Sequence, residues 1–155
     1  MNSPILAPVV ALVCWTLVMW VWMYATRIPA MQRARIDARE LVGTTGASLR
    51  ADMIDGNERR ATWVSDNYNH LHEQPTLFYA ACFALALMGL GSGFNVALAW
   101  GYVGLRVAHS LVQATINRVI IRFSIFVLAS LCLFALAIHA AMGLLHVHPL
   151  IGPGN

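Results

Sequence analysis

Lysine is absent from this chain, acidic residues stop at Glu73, and charged side chains make up only 11% of its 155 residues. Soluble globular domains carry about 25% charged residues, so the composition excludes an ordinary water-soluble core-and-shell protein. Cysteine is equally scarce. Cys14, Cys82 and Cys132 stand alone, with no C-x-x-C or metal-ligand spacing, which leaves no zinc or disulfide framework and predicts small buried apolar residues. Neither internal repeats nor low-complexity tracts are present.

What fills the chain is apolar: 59% of its residues are hydrophobic. Residues 1–26, 74–105 and 123–155 carry no Asp, Glu or Arg, and about 20 apolar residues cross a bilayer as a helix. The stretch 74–105 is too long for one crossing, and MGLGSGFN (Met88 to Asn95) marks a tight turn within it. Its glycines follow no strand and lie between apolar flanks, which excludes a phosphate-binding loop. The chain is therefore expected to be all-α, a single domain over residues 1–155, an integral membrane four-helix bundle with spans at about 4–26, 74–91, 94–115 and 119–145. The first span lacks a preceding basic residue and a small-residue cleavage site, and is expected to be permanent. Trp15, Trp20, Trp22 and Tyr24 crowd its second half, as amphipathic rings do at a membrane interface.

All ten basic residues are arginine. Arg27, Arg33, Arg35, Arg39, Arg50, Arg59 and Arg60 fall in the 27–73 connection, and Arg118 and Arg122 flank the turn between spans three and four. The positive-inside rule then places both connections in the cytoplasm and both termini on the other side, periplasmic if the membrane is a bacterial inner membrane. A positive membrane rim accounts for the pI near 9.1, and no nucleic-acid partner is implied. Within the long connection, Met31 to Gly43 could continue the first helix or lie along the headgroups. Gly43 to Glu58 reads as a polar loop, and a helix resumes from Glu58 with Trp63, Asn67, His70 and Gln74 at three- and four-residue steps.

One placement is costly. Arg106 lies about 18 Å into the third span at about 1.5 Å of rise per residue, and a charge at such depth costs about 2.5–3.5 kcal/mol unless it faces the bundle interior with a partner. His109 and Gln113 share its helical face, Ser110 lies beside it, Asn117 precedes the turn and Arg122 follows it by about one helical turn. Glu73, the last acid, is the natural countercharge at the end of the second span. An Arg106–Glu73 pair could merely hold helices in register. Two arginines and a histidine around one acid leave a positive excess, however, that could hold an anion with carboxylates. His70 and His72 read as surface residues at the rim of the second helix, and His139, His146 and His148 as residues without a metal or haem role, since no cysteine or acid accompanies them.

The spacing R-x-x-H-x(12)-R of Arg106, His109 and Arg122 sits beside E-x-P-x-L-F-Y (Glu73 to Tyr79) and N-x(4)-R-F (Asn117 to Phe123). With the apolar spans and the long basic connection, the combination resembles the MAPEG family, membrane-associated proteins of eicosanoid and glutathione metabolism, and its bacterial branch in particular, over about residues 5–140. The resemblance implies a homotrimer of left-handed four-helix bundles that binds glutathione as cosubstrate between subunits, near the cytoplasmic side, and acts on a lipophilic small molecule from the bilayer. It assigns Arg122 to support of the thiolate, Arg106 and His109 to the helix-three pair, and Glu73 to the acidic position of helix two, with Asn67 and Asn69 competing for an asparagine role. Gln113 and Phe126 stand where the family often has tyrosines. The resemblance thus implies a glutathione transferase or peroxidase; the alternative is a non-catalytic lipid or anion binder, or helper subunit, of the same fold.

Overall fold

The computed structural model describes residues 3–36 and 56–147. Among them the chain forms five helices: α1 (Leu6–Arg33), α2 (Gly56–His70), α3 (Gln74–Leu87), α4 (Phe94–Thr115) and α5 (Val119–Val147). Of these, α1 and the Val119–Leu145 part of α5 are long and apolar enough to cross a bilayer unaided. The middle helices differ: α3 has only 14 residues, and α4 carries the arginine and histidine that dilute its apolar character.

The first helix runs well past the expected limit near residue 26. Pro8 falls in its first turn, where backbone N–H groups have no intrahelical partner to lose. Pro29 lies inside it, and the ring nitrogen cannot donate to the Ala25 carbonyl, yet the helix continues to Arg33. It ends in a C-terminal wrap in which Arg35 and Ile36 donate to the carbonyls of Gln32 and Met31, with Arg35 at φ 54°. The start of the Met31 to Gly43 segment therefore continues the first helix; the remainder, with Arg39, Arg50 and most of the Gly43 to Glu58 loop, lies outside the described residues.

The second expected helix is two. Leu71 to Glu73 separate α2 from α3 because Pro75, in the first turn of α3, has no N–H to offer the carbonyl one turn back. The α2 backbone closes instead with Leu71 donating to Asn67 and Tyr68, and His72 to Asn69. In the turn after α3, Gly89 adopts φ 73° and Gly93 φ 58°, values that a side chain would strain. A Cβ on Gly91 would collide with Ser3 and Ile5, because the start of α1 docks there through Ile5 N–H to the Gly91 carbonyl at 3.1 Å.

Helix α4 is the hub, packed against α1, α2 and α5, while α3 bridges α1 and α5. Its buried residues Ala99, Tyr102, Val103, Arg106, His109, Ser110 and Gln113 recur at helical spacing, so one stripe is apolar in its first half and polar in its second. Around the apolar half, Phe78 stacks on Tyr102 at 4.4 Å, within a core shared with Leu12, Met19, Cys82, Leu85 and Leu136. Cys82 is buried as expected; Cys14 is not, since its position on α1 faces outward. At the far end of the bundle His139 Nδ1 meets Asn95 Oδ1 at 2.6 Å and joins α5 to the start of α4. The side chains of His146 and His148 lie outside the described residues.

Candidate functional site

The polar half of the α4 stripe opens into a cavity of about 460 Å³ walled by α2 to α5: His70, Glu73, Gln74, Arg106, His109, Val119, Arg122, Phe123 and Phe126. Four residues expected from the sequence, Glu73, Arg106, His109 and Arg122, thus share one space although they come from three separate segments. Helix spacing explains the first step: Arg106 and His109 lie one turn apart on the buried face of α4. The short turn at residues 116–118 then returns the chain so that Arg122, near the start of α5, faces the same space.

Arg106 is almost wholly buried, at 2% exposure, and donates through Nη2 to the backbone carbonyl of His70 at 2.7 Å. This is where the break after α2 matters. The last carbonyls of a helix lack intrahelical donors, and the guanidinium reaches across from α4 to satisfy one of them. The countercharge expected of Glu73 therefore takes another form: Glu73 is exposed on the wall of the same cavity, and the close acceptor for Arg106 is main chain. Arg122 donates from Nη1 to Asn117 Oδ1 at 2.5 Å. Asn117 sits at φ 52°, a left-handed value that asparagine tolerates better than most residues. The Nε–H groups of both arginines are buried without a hydrogen-bond partner.

The amide residues divide. Gln113 is buried, with its Oε1 3.2 Å from His70 Nδ1, so it stands behind the wall. Asn117 is likewise a holder of Arg122. Asn69 is exposed and off the cavity, whereas Asn67 is fully buried with neither amide atom paired. Neither asparagine reaches the space that Arg106 and Arg122 line.

Five wall residues escaped the sequence reading, and besides Val119 and Phe123 three of them shape the site. His70, taken for a surface residue, presents its carbonyl to Arg106 and its ring to Gln113, with ring centroids 6.4 Å from His109. The signal was available in Pro75, which marks the end of α2 and hence the carbonyl that needs a donor. Gln74 ties three helices, accepting from Tyr102 Oη at 3.4 Å and donating to Ser130 Oγ at 2.7 Å. Phe126, known from sequence only as a missing tyrosine, puts its ring on the wall 6.4 Å from the His109 ring. His72 is exposed, as expected, and its Nδ1 lies 2.9 Å from the Tyr68 carbonyl in the last turn of α2.

A helical bundle with two helices long and apolar enough to cross a bilayer and an arginine-lined cavity at one end fits a helical membrane protein. Residues 5–142 match the profile of the MAPEG family, and the chain belongs to that family. It matches no curated protein and no solved structure.

Proposed function

We propose that the cavity binds glutathione, or a similar anionic thiol, and presents its sulfur to lipophilic electrophiles or hydroperoxides drawn from the bilayer. The observation that carries this reading is the pair of arginines, Arg106 and Arg122, whose buried Nε–H groups lack acceptors on the walls of one cavity that also holds a carboxylate. Glutathione brings two carboxylates and one ammonium. Arg106 can receive a carboxylate and Glu73 the ammonium, which leaves Arg122 free for the sulfur, and a space of about 460 Å³ falls within the roughly 300–1,000 Å³ of small-ligand sites. The work falls to distinct groups: Arg106, fixed by the His70 carbonyl, places a carboxylate; Arg122, held by Asn117, stabilises the sulfur anion; His109 orients by hydrogen bonding. A cation beside a thiol lowers its pKa and raises the reactive fraction. In conjugation, the sulfur forms a bond to the electrophilic carbon as the leaving group departs with its electron pair. Phe123, Phe126 and Val119 supply the apolar wall for the electrophile. In this reading the protein works as a homotrimer in a bacterial inner membrane, with the cavity on the cytoplasmic side and both termini periplasmic.

Calorimetry on the detergent-purified protein tests the proposal. Saturable glutathione binding that weakens at least about tenfold, some 1.4 kcal/mol, in Arg122→Ala is expected; no binding to the folded protein at millimolar thiol overturns it.

One observation favours a second reading, a non-catalytic member of the family. Arg106 already has a protein partner and ties α4 to the end of α2, so its charge could serve as a structural lock. Arg106→Gln separates the two. A folded variant that no longer binds the thiol supports the first reading; collapse of the assembly in mild detergent, without glutathione binding by the parent protein, supports the lock.

A further inference from the structure

Two histidines line the cavity, and their surroundings fit them for different work. His109 is almost wholly buried on α4, one helical turn after Arg106, and shares the wall with Arg122, so a positive charge on its ring would meet two guanidinium groups. His70 is half-buried in the last turn of α2, where the helix dipole favours a positive charge. Its main chain is fixed by Arg106, which donates to its carbonyl, and its ring by Gln113, whose Oε1 lies 3.2 Å from Nδ1. An amide oxygen only accepts, so Nδ1 carries the proton, and in the neutral ring Nε2 then holds a lone pair. Nε2 points away from Gln113, which is buried behind the wall, and among the described residues it has no hydrogen-bond partner.

We propose that His70 is the base of the site, its Nε2 taking the proton of the bound thiol while Gln113 holds the ring in the tautomer that presents the lone pair. The proposal rests on the thiol reading of the cavity and adds the group that ionises the thiol. Arg122 is a permanent cation that can stabilise a thiolate, but it has no lone pair with which to accept a proton. In the transfer the S–H bond breaks, an N–H bond forms at Nε2, and the electron pair stays on the sulfur beside Arg122. Gln113 accepts from Nδ1–H in both protonation states of the ring, so the transfer leaves that bond intact. The imidazolium stands at the helix terminus that favours it and balances the thiolate it has made. The other charged and titratable groups on the wall are Glu73, Arg106, His109 and Arg122.

Counting protons tests this. Glutathione is titrated into the detergent-purified protein at about pH 7.5, where a free thiol is mostly protonated and a free imidazole mostly neutral. Calorimetry in buffers of different ionisation enthalpy gives the protons released, and thiolate ultraviolet absorbance gives the sulfur ionised. The parent protein should form thiolate with almost no proton release, because His70 keeps the proton. His70→Gln should still bind glutathione but either release about one proton for each thiolate formed or leave the thiol protonated. Gln113→Met keeps a similar volume and removes the acceptor, which frees the His70 ring to turn; its proton count should rise as well, and it decides the matter if His70→Gln does not fold. One proton released for every thiolate in the parent protein assigns the acceptor to solvent and overturns the proposal. Bound glutathione with no thiolate also overturns it, as does a proton count that rises in His109→Gln while it stays low in His70→Gln. Failure of the folded parent protein to bind glutathione is a different result: it removes the thiol reading itself, and this proposal with it.

Discussion

The two arginines of the cavity are held by acceptors of different kinds, and the difference bears on what each can do. Arg106 bonds a main-chain carbonyl at a helix end, an acceptor that no side-chain substitution removes. Arg122 depends on the side chain of Asn117, five residues away across the turn. Phe126, on the wall of the same cavity, offers it an apolar ring and no donor. Phe126→Tyr would place a hydroxyl within reach of a ligand beside His109. A neutral hydrogen bond contributes about 0.5–1.5 kcal/mol, so glutathione affinity by calorimetry should rise by roughly two- to tenfold; an unchanged or weakened affinity would place the ligand away from this ring. At this scale the sequence was informative where cost was high. Arg106, His109 and Arg122 stood out because charge within an apolar run demands a reason, and Glu73 because no acid follows it. His70, Gln74 and Phe126 gave no such warning: a polar residue at a helix end and a phenylalanine in an apolar helix are ordinary until neighbours converge on them. Asn67 and Asn69, which the resemblance offered for an asparagine role, both lie off the cavity wall, Asn67 buried and Asn69 exposed.

The helices themselves were largely legible from where charge is absent, and their ends from proline and glycine. The start of α4 at Phe94, within MGLGSGFN, and of α5 after Arg118 were expected and observed. The break at Leu71 to Glu73 was not, because Trp63, Asn67, His70 and Gln74 kept an uninterrupted helical rhythm that outweighed the single Pro75. In the turn before α4, Gly93 combines φ 58° with ψ −128° and has open space around a would-be Cβ, so the cost of a side chain there is purely conformational. Gly104 also has open space but lies within α4, so no close approach of a neighbouring helix requires a glycine there. Paired substitutions separate backbone strain from packing. Gly93→Ala should lower stability in detergent by about 1–3 kcal/mol, while Gly104→Ala should be neutral or raise it by up to about 1 kcal/mol. Thermal unfolding followed by circular dichroism reads both, and equal losses would mean that a partner helix packs against Gly104.

For the whole molecule, the distribution of arginine makes a directional statement. The turn at residues 116–118 and the end of α1 carry arginine, while the turn at residues 88–93 does not, and the latter lies at the opposite end of α4. Two arginine-lined cavities belong to the basic end: one is walled by Arg106 and Arg122 and the other, where α1, α2 and α4 meet, by Arg33 and Arg60. If positive charge is retained in the cytoplasm, both open toward the compartment that supplies a soluble thiol, and the apolar faces of α1 and α5 complete them from the bilayer. Two exposed positions test this without altering charge: Ser92 in the turn before α4, and Ile116 in the turn after it. With the three native cysteines replaced by alanine, Ser92→Cys should react with a membrane-impermeant maleimide in intact cells, and Ile116→Cys only after permeabilisation. The reverse pattern would turn both cavities outward, away from cytoplasmic thiol. It would then be the family fold, and not the glutathione reading, that survives.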